Sequence, residues 1–397
     1  ASILDNVQVR FRMDLIYTNT GPILIAMNPF KWLPIYGDDV ITRYHGRPYG
    51  SMPPHCYQEA EDAFVQLQKY RKNQAIVICG ESGAGKTETT KLMLHYLATV
   101  SKRTADRQKK TSQETTIAER MVNSNPLLEA YGHAKTLRND NSSRFGKFTR
   151  FDFQIGSPVI TGGFVENLLL EKVRVVEQAE GERNYHIFYQ MVAAAKKNHP
   201  RLPGTAKLGG SAADASTHGF TNSSGCTTIE HVDDVDEFEA TLGALEAVGC
   251  SKDETQRILE TTAAVYWLGD VDFKGEDNAV AIDSAALDHA ARLLGVDKKK
   301  LATALCQRVR TVGGEKVVSP MEVKHALQLR DALAKATYAR LFDWLVHRAN
   351  QAFDRSSGAD SPFIGVLDIY GFEIMKTNGF EQLIINTTNE QLQKVFN

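Results

Sequence analysis

Gly80-Glu81-Ser82-Gly83-Ala84-Gly85-Lys86-Thr87 follows the apolar run Gln74-Ala75-Ile76-Val77-Ile78-Cys79. A buried strand feeding a glycine-rich turn that opens a helix is the setting in which G-x-x-x-x-G-K-[ST] reads as a phosphate-binding loop. The glycines let the backbone turn tightly with its N–H groups inward, so a nest of donors and the positive end of the next helix meet the phosphates. Lys86 adds a point charge near the β- and γ-phosphates, and Thr87 offers a hydroxyl to Mg²⁺. The following helix, predicted over about Thr87 to Ala98, carries Leu92, Leu94 and Leu97 among polar residues.

Upstream, Asp14-Leu15-Ile16-Tyr17-Thr18 and Pro22-Ile23-Leu24-Ile25-Ala26-Met27 flank Asn19-Thr20-Gly21 and read as a hairpin. It runs into Asn28-Pro29-Phe30-Lys31-Trp32-Leu33-Pro34-Ile35-Tyr36, whose prolines and aromatics make a stiff, non-helical loop. Such a loop holds a flat ring or covers a core. Downstream, Ser101 to Thr116 turns polar and reads as an exposed flexible loop. Apolar periodicity resumes at Ile117 and leads to Asn139-Asp140-Asn141-Ser142-Ser143-Arg144-Phe145-Gly146-Lys147. Its hydroxyls and arginine suit a metal and a phosphate, and its composition equally suits a plain turn.

Lys147 to Phe153 alternates cleanly, Gly156-Ser157-Pro158 turns, and Val159 to Leu170 reads as the second strand of a hairpin, continuing through Val175. Asn184 to Gln190 is predicted helical, with His186 a core histidine. The Gly-, Ser- and Thr-rich stretch from Lys196 to Thr228 reads as a long irregular insertion. Beyond it the pattern is helical: Ser251-Lys252-Asp253-Glu254 is a capping box, and Ser319-Pro320-Met321-Glu322 is predicted to open the longest helix, running to about Phe353. Pro362 to Asp368 then reads as a buried strand ending in Asp368-Ile369-Tyr370-Gly371-Phe372-Glu373. Beside a phosphate loop, an aspartate followed by a glycine at a strand end is how a Walker-B-type carboxylate reaches Mg²⁺ and a backbone N–H reaches the γ-phosphate. Asn378 to Asn397 is predicted helical.

The 397 residues suffice for two or more domain-sized cores or one large elaborated one. A formal charge of −2 with mixed signs gives no reason to expect nucleic acid or a membrane surface as the main partner. The five cysteines have no metal-binding spacing and read as reduced thiols of a cytoplasmic protein. The sequons at Asn141, Asn222 and Asn386 are read as chance, and no apolar run has membrane-spanning length.

The stretches Gly80 to Thr87, Asn139 to Lys147 and Asp368 to Glu373 resemble, in order and spacing, the phosphate loop, switch I and switch II of the myosin motor domain. The likeness extends almost continuously through Asn28-Pro29-Phe30-Lys31, Asn184-Tyr185-His186-Ile187-Phe188-Tyr189-Gln190 and Asp331-Ala332-Leu333-Ala334-Lys335. Kinesins share the phosphate-loop and switch logic but lack this Tyr-Gly-Phe-Glu ending. The resemblance implies an α/β P-loop NTPase with a central, mostly parallel β-sheet flanked by helices, plus a mainly helical upper domain. It divides the chain into a nucleotide-binding core over 1–190, an upper actin-binding region over 191–361, and the switch II strand with the start of a relay helix over 362–397.

By the same resemblance each residue takes a role. Asn28, Pro29 and Lys31 belong to the adenine loop, with Tyr36 at the ring. Gly80, Glu81, Ser82, Gly83, Ala84, Gly85, Lys86 and Asn139 hold the ATP phosphates. Thr87 and Ser143 bind Mg²⁺, with Asp368 holding it through water. Ser142 places the attacking water, Gly371 donates to the γ-phosphate, and Arg144 and Glu373 form the ion pair that closes the switches. The segment bearing Arg308, Arg310 and Glu315, read as a loop joining two helices, is the part that touches actin. Glu315 stands sixteen residues before Asp331, where the family carries an acidic or phosphorylatable residue.

Val173 and Thr387 replace the family's usual serine and tyrosine, at positions outside the ATP chemistry. The implied function is an ATP-dependent, actin-activated motor ATPase, present as a motor-domain fragment. Light chains or calmodulin would be reached only through a lever that lies beyond the chain. The alternative is a myosin-like nucleotide sensor or actin tether without motor activity; the intact switch residues favour the motor.

Overall fold

A computed structural model of the chain describes residues 2–107, 117–154, 156–157, 159–210, 213–313, 315–353, 361–374 and 378–396. They fall into two compact units. The first comprises 1–125, 145–169 and 348–397, and the second 126–144 and 170–347.

The first unit is built on a sheet in which the strands Gln74–Ile78, Phe363–Asp368, Gly146–Phe153 and Ile160–Leu168 lie side by side in that order. The strand latest in sequence is therefore an inner one. Ile364 and Val366, on one face, are fully buried, and Phe363 and Leu367, on the other, are half-buried. Gly365 lets the Phe148 ring lie over it, since a Cβ there would come within 2.5 Å of that ring. Only the pairing of Phe363–Asp368 with Gln74–Ile78 is parallel; it pairs antiparallel with Gly146–Phe153, as the latter does with Ile160–Leu168. The expected mostly parallel sheet is thus not found among the described strands. The physical reason is local: Gly146–Phe153 and Ile160–Leu168 are joined by a short turn, and a tight hairpin can only be antiparallel.

Helices Cys56–Tyr70 and Lys86–Arg107 belong to this unit. They meet through Tyr57 and Tyr96, whose rings stack at 4.9 Å, and the buried Glu61 accepts from the Tyr96 hydroxyl at 2.7 Å and from Gly46 N–H at 2.7 Å. The second helix is longer than predicted and takes in residues 101–107, which the polar composition marked as loop. Those residues contain no Gly or Pro, and Lys, Arg and Ala are good helix formers, so polarity alone does not end the helix. The rest of that predicted loop, 108–116, lies outside the described residues. Cys79 lies just past the end of its strand and is exposed, and Gln74–Ile78, at the edge of the described sheet, is mostly half-buried rather than buried.

The second unit is mainly helical. Helices His186–Lys196, Asp234–Ala247, Lys252–Leu268, Ala285–Leu293 and Lys298–Cys306 lie wholly in it, as does most of Val323–Ala352. Its core is aromatic. The Tyr338 ring stacks on Tyr185 at 5.0 Å, and its hydroxyl donates to the Tyr131 carbonyl at 2.8 Å. The Ser251/Glu254 capping box forms as read, each side chain bonded to the other residue's backbone N–H.

Two local readings are corrected in this unit. Lys172–Val175 is a short 3₁₀ helix and not a continuing strand. Ser319 and Pro320 do not cap the long helix, which begins at Val323; they end the strand Glu315–Pro320, paired with Gln307–Val312. The predicted loop between two helices is therefore a hairpin. The β-branched residues Val309, Thr311, Val317 and Val318 on either side of Gly313-Gly314 were the signal for it, and the proline is tolerated because it is the last residue of an edge.

Candidate nucleotide site

In the first unit the chain turns sharply after Ile78, with Gly83 and Gly85 at φ +82° and +90°, values open to glycine and strained for other residues. The helix then starts at Lys86, and the first N–H groups of a helix have no partner within it and suit an anion. Asn28, at the end of the N-terminal hairpin, donates from Nδ2 to the Gly83 carbonyl at 2.7 Å, and its Oδ1 accepts from Phe30 N–H at 3.0 Å. The hairpin's end is thereby fixed against the phosphate loop. Lys86 Nζ donates to the carbonyls of Gly80 and Glu81 at 2.8 Å each, spanning the loop it follows. Burial lowers the Lys86 pKa, opposed first by the charge of Asp368.

Asp368 ends the inner strand, in register with Ile78 on one side and Lys147 on the other. Its Oδ2 accepts from the Thr87 hydroxyl at 2.8 Å. Burial raises the carboxyl pKa, against Lys147, the Thr87 hydrogen bond and Lys86. A desolvated carboxylate beside a threonine hydroxyl is a hard oxygen donor set, which fits Mg²⁺. Gly371 has no room for a side chain: a Cβ would lie 2.6 Å from Ser82 N and close to the Gly80 carbonyl. Glu373, nearly buried, is held by Asn386, whose Oδ1 accepts from Glu373 N–H and whose Nδ2 donates to the Glu373 carbonyl, both at 2.8 Å. The sequon at Asn386 is thus occupied by a structural bond. Lys31 pairs with Asp14 at 2.7 Å, and the Tyr36 hydroxyl meets that of Tyr17 at 3.0 Å.

In the second unit, Ser142–Ser143 pairs antiparallel with His133–Ala134, which fixes the switch-like segment onto the chain before it. Asn139 Oδ1 accepts from Asn141 N–H at 3.0 Å, a turn of the kind asparagine favours. Asn141 Oδ1 in turn lies 3.0 Å from His133 Nδ1 and 3.1 Å from His186 Nε2, so His186 reaches this segment and is more than core filling. Arg144 is almost wholly buried. Its Nε donates to Glu171 Oε2 at 2.7 Å, its Nη1 to Ser142 Oγ at 3.3 Å, and its carbonyl accepts from Glu171 N–H at 3.0 Å. Arg174 Nε shares the same carboxylate oxygen at 2.6 Å. Burial alone would raise the Glu171 pKa, but the two guanidinium groups bring it down to about 2. Glu171 was not singled out in the sequence; a glutamate three residues before an arginine looks like an ordinary surface pair until the fold buries it. Arg144 belongs to the second unit and Glu373 to the first.

Arg308, Arg310 and Glu315 lie exposed on the Gln307–Val312/Glu315–Pro320 hairpin of the second unit. Arg308 stands opposite Ser319, Arg310 opposite Val317 and Glu315 opposite Val312, so all three residues share one face.

No helix among the described residues is long and apolar enough to cross a membrane. The chain matches the myosin head (motor domain) family over residues 1–397. It is 42% identical over 403 residues to unconventional myosin-Ia of Mus musculus. It is 42% identical over 399 residues to myosin-1 of Pyricularia oryzae, and 41% identical over 411 residues to the myosin ID heavy chain of Dictyostelium discoideum. Each alignment covers the whole chain but only 37%, 32% and 35% of the respective relative. The chain spans about a third of those relatives' lengths, and over that span it belongs to the myosin head (motor domain) family.

Proposed function

We propose that this chain forms part of a Mg·ATP-hydrolysing, actin-activated motor, with the division into a nucleotide core, an upper actin-facing region and a switch II strand drawn above. The observation that carries the reading is the bond from Thr87 to Asp368, which unites the phosphate loop with the end of the Phe363–Asp368 strand. Gly371 is packed against the same loop.

Phosphoryl transfer asks the protein for positioning and charge stabilisation more than for covalent chemistry. In this reading the phosphate-loop N–H groups and Lys86 take the phosphate charge, exchanging the Lys86 bonds to Gly80 and Glu81 for phosphate oxygens. Thr87 and Ser143 would hold Mg²⁺, with Asp368 doing so through water, and the ion would supply charge neutralisation on the phosphates. Asn139 contacts phosphate, Ser142 orients the attacking water, and the Gly371 N–H donates to the γ-phosphate. Glu171 pairs with Arg144 and orients it for switch closure with Glu373, whose backbone Asn386 holds. Tyr36 lies against the base, with Asn28 fixing its loop to Gly83. Steady-state ATP hydrolysis by the full-length protein, with and without actin filaments, tests the reading. Tight ATP binding without turnover would instead support a nucleotide sensor or tether.

A further inference from the structure

The end of the proposed base loop is held by two side chains at the start of the helix Cys56–Tyr70. His55 Nε2 lies 3.1 Å from the Ile35 carbonyl, and the Tyr57 hydroxyl donates to the Tyr36 carbonyl at 2.9 Å. His55 is also the N-cap of that helix, its Nδ1 accepting from Tyr57 N–H at 3.1 Å. An accepting Nδ1 carries no proton, so the proton sits on Nε2 and is donated to Ile35. Both nitrogens are committed, and the ring is fixed in one neutral tautomer.

The surroundings enforce that state. His55 is 4% exposed. Tyr17, Tyr36, Tyr44 and Tyr57 surround its ring at centroid distances of 4.9, 5.6, 5.0 and 4.5 Å. Cys56 Sγ lies 3.8 Å from Nδ1. Burial lowers the His55 pKa to about 4, the Ile35 bond acting against it and the Arg43 charge with it. Burial likewise keeps the Cys56 thiol and the Tyr17, Tyr36, Tyr44 and Tyr57 hydroxyls protonated.

Capping alone does not call for histidine, because Ser, Thr, Asp and Asn cap helices better. What histidine adds is a second nitrogen on the far side of a rigid ring, in reach of the loop. We propose that His55 is a positioning residue for base recognition: it ties the helix start to Ile35 and so fixes the plane and depth of the Tyr36 ring. The proposal rests on the reading that Tyr36 lies against the nucleotide base.

The test uses the full-length protein and equilibrium affinities for ATP and for inorganic tripolyphosphate, which has no base. His55→Asn keeps a capping oxygen but is too short to reach Ile35. It is expected to weaken ATP binding about five- to tenfold, the worth of one hydrogen bond, and to leave tripolyphosphate affinity unchanged. Tyr57→Phe, which removes only the bond to Tyr36, is expected to act in the same direction. Unchanged ATP affinity in His55→Asn, or equal weakening for both ligands, overturns the proposal. Tyr36→Ala separates the two levels. If it loses base-dependent affinity while His55→Asn does not, the loop reading stands and the His55 role falls. If Tyr36→Ala keeps the ratio of ATP to tripolyphosphate affinity, the loop reading itself fails.

Discussion

Thr87 and Asp368, 281 positions apart in the chain, are joined by a hydrogen bond of 2.8 Å from hydroxyl to carboxylate. Asp368 is buried and its pKa is raised by that burial, so the hydroxyl is one of the groups that keep the charged form tolerable. Thr87→Ala removes that donor and is expected to cost about 1–3 kcal/mol of stability. Mg²⁺-dependent ATP affinity should fall with it, while Thr87→Ser should restore both. Denaturant unfolding and ATP titration with and without Mg²⁺ provide the check. An alanine variant unchanged in both would remove Thr87 from the site.

Gly371 packs against the phosphate loop closely enough that a single methyl must displace backbone, since the nearest atoms belong to the main chain of Gly80, Glu81 and Ser82. Gly371→Ala is therefore expected to push the segment after Asp368 away from the loop. ATP turnover should fall by at least about a hundredfold, the scale seen when one preorganised donor at a reacting centre is lost. Single-turnover hydrolysis measures it. Near-parental turnover in the alanine variant would show that this close approach is not needed for chemistry.

A pH dependence follows from His55. Its pKa is lowered by burial to about 4 from an ordinary 6.5. Between those values the unfolded chain binds a proton that the folded chain refuses, so stability falls as pH drops through that window and is fully present above it. By pH 5 the loss from this residue is about 2 kcal/mol. Denaturant midpoints at pH 7.5 and pH 5 should show a larger drop for the parent than for His55→Asn. Equal drops would mean that His55 becomes protonated freely in the folded protein.

The phosphate loop and the strand ending at Asp368 were legible in the sequence because glycine spacing and an apolar run report backbone geometry directly. The position of that strand inside the sheet was not, because hydrophobic runs do not encode strand order or direction. Glu171 shows a second limit. Its importance comes from sharing one carboxylate oxygen between Arg144 and Arg174 in a desolvated setting, and neither the sharing nor the burial has a local pattern. His55 shows a third: no local pattern marks it, because its second bond, to the Ile35 carbonyl, depends on a loop twenty positions earlier. The hairpin at Gln307–Pro320, by contrast, had a readable signal in the β-branched residues that flank a Gly-Gly pair. Ser319-Pro320 carries the opposite signal, since a cap residue followed by proline is also the pattern of a helix start.

That hairpin supports the last prediction. Arg308, Arg310 and Glu315 are exposed on one face of a two-stranded ribbon, with Glu315 in the pair next to the turn, opposite Val312, and Arg310 diagonal to it. If this face meets actin, as the family resemblance proposes, a glutamate supplies a permanent negative charge where a serine or threonine would require a kinase. Actin activation of the full-length protein is then expected to be independent of heavy-chain phosphorylation at this hairpin, and Glu315→Ala is expected to lower the actin-activated ATPase rate. Because the groups are exposed, the difference between parent and variant should shrink as ionic strength rises and the Debye length falls below about 10 Å. Actin-activated rates measured over a salt series decide it. Matching curves for parent and Glu315→Ala at low salt would show that the charge does no work at the filament, and a salt-independent difference would point to a packing role instead.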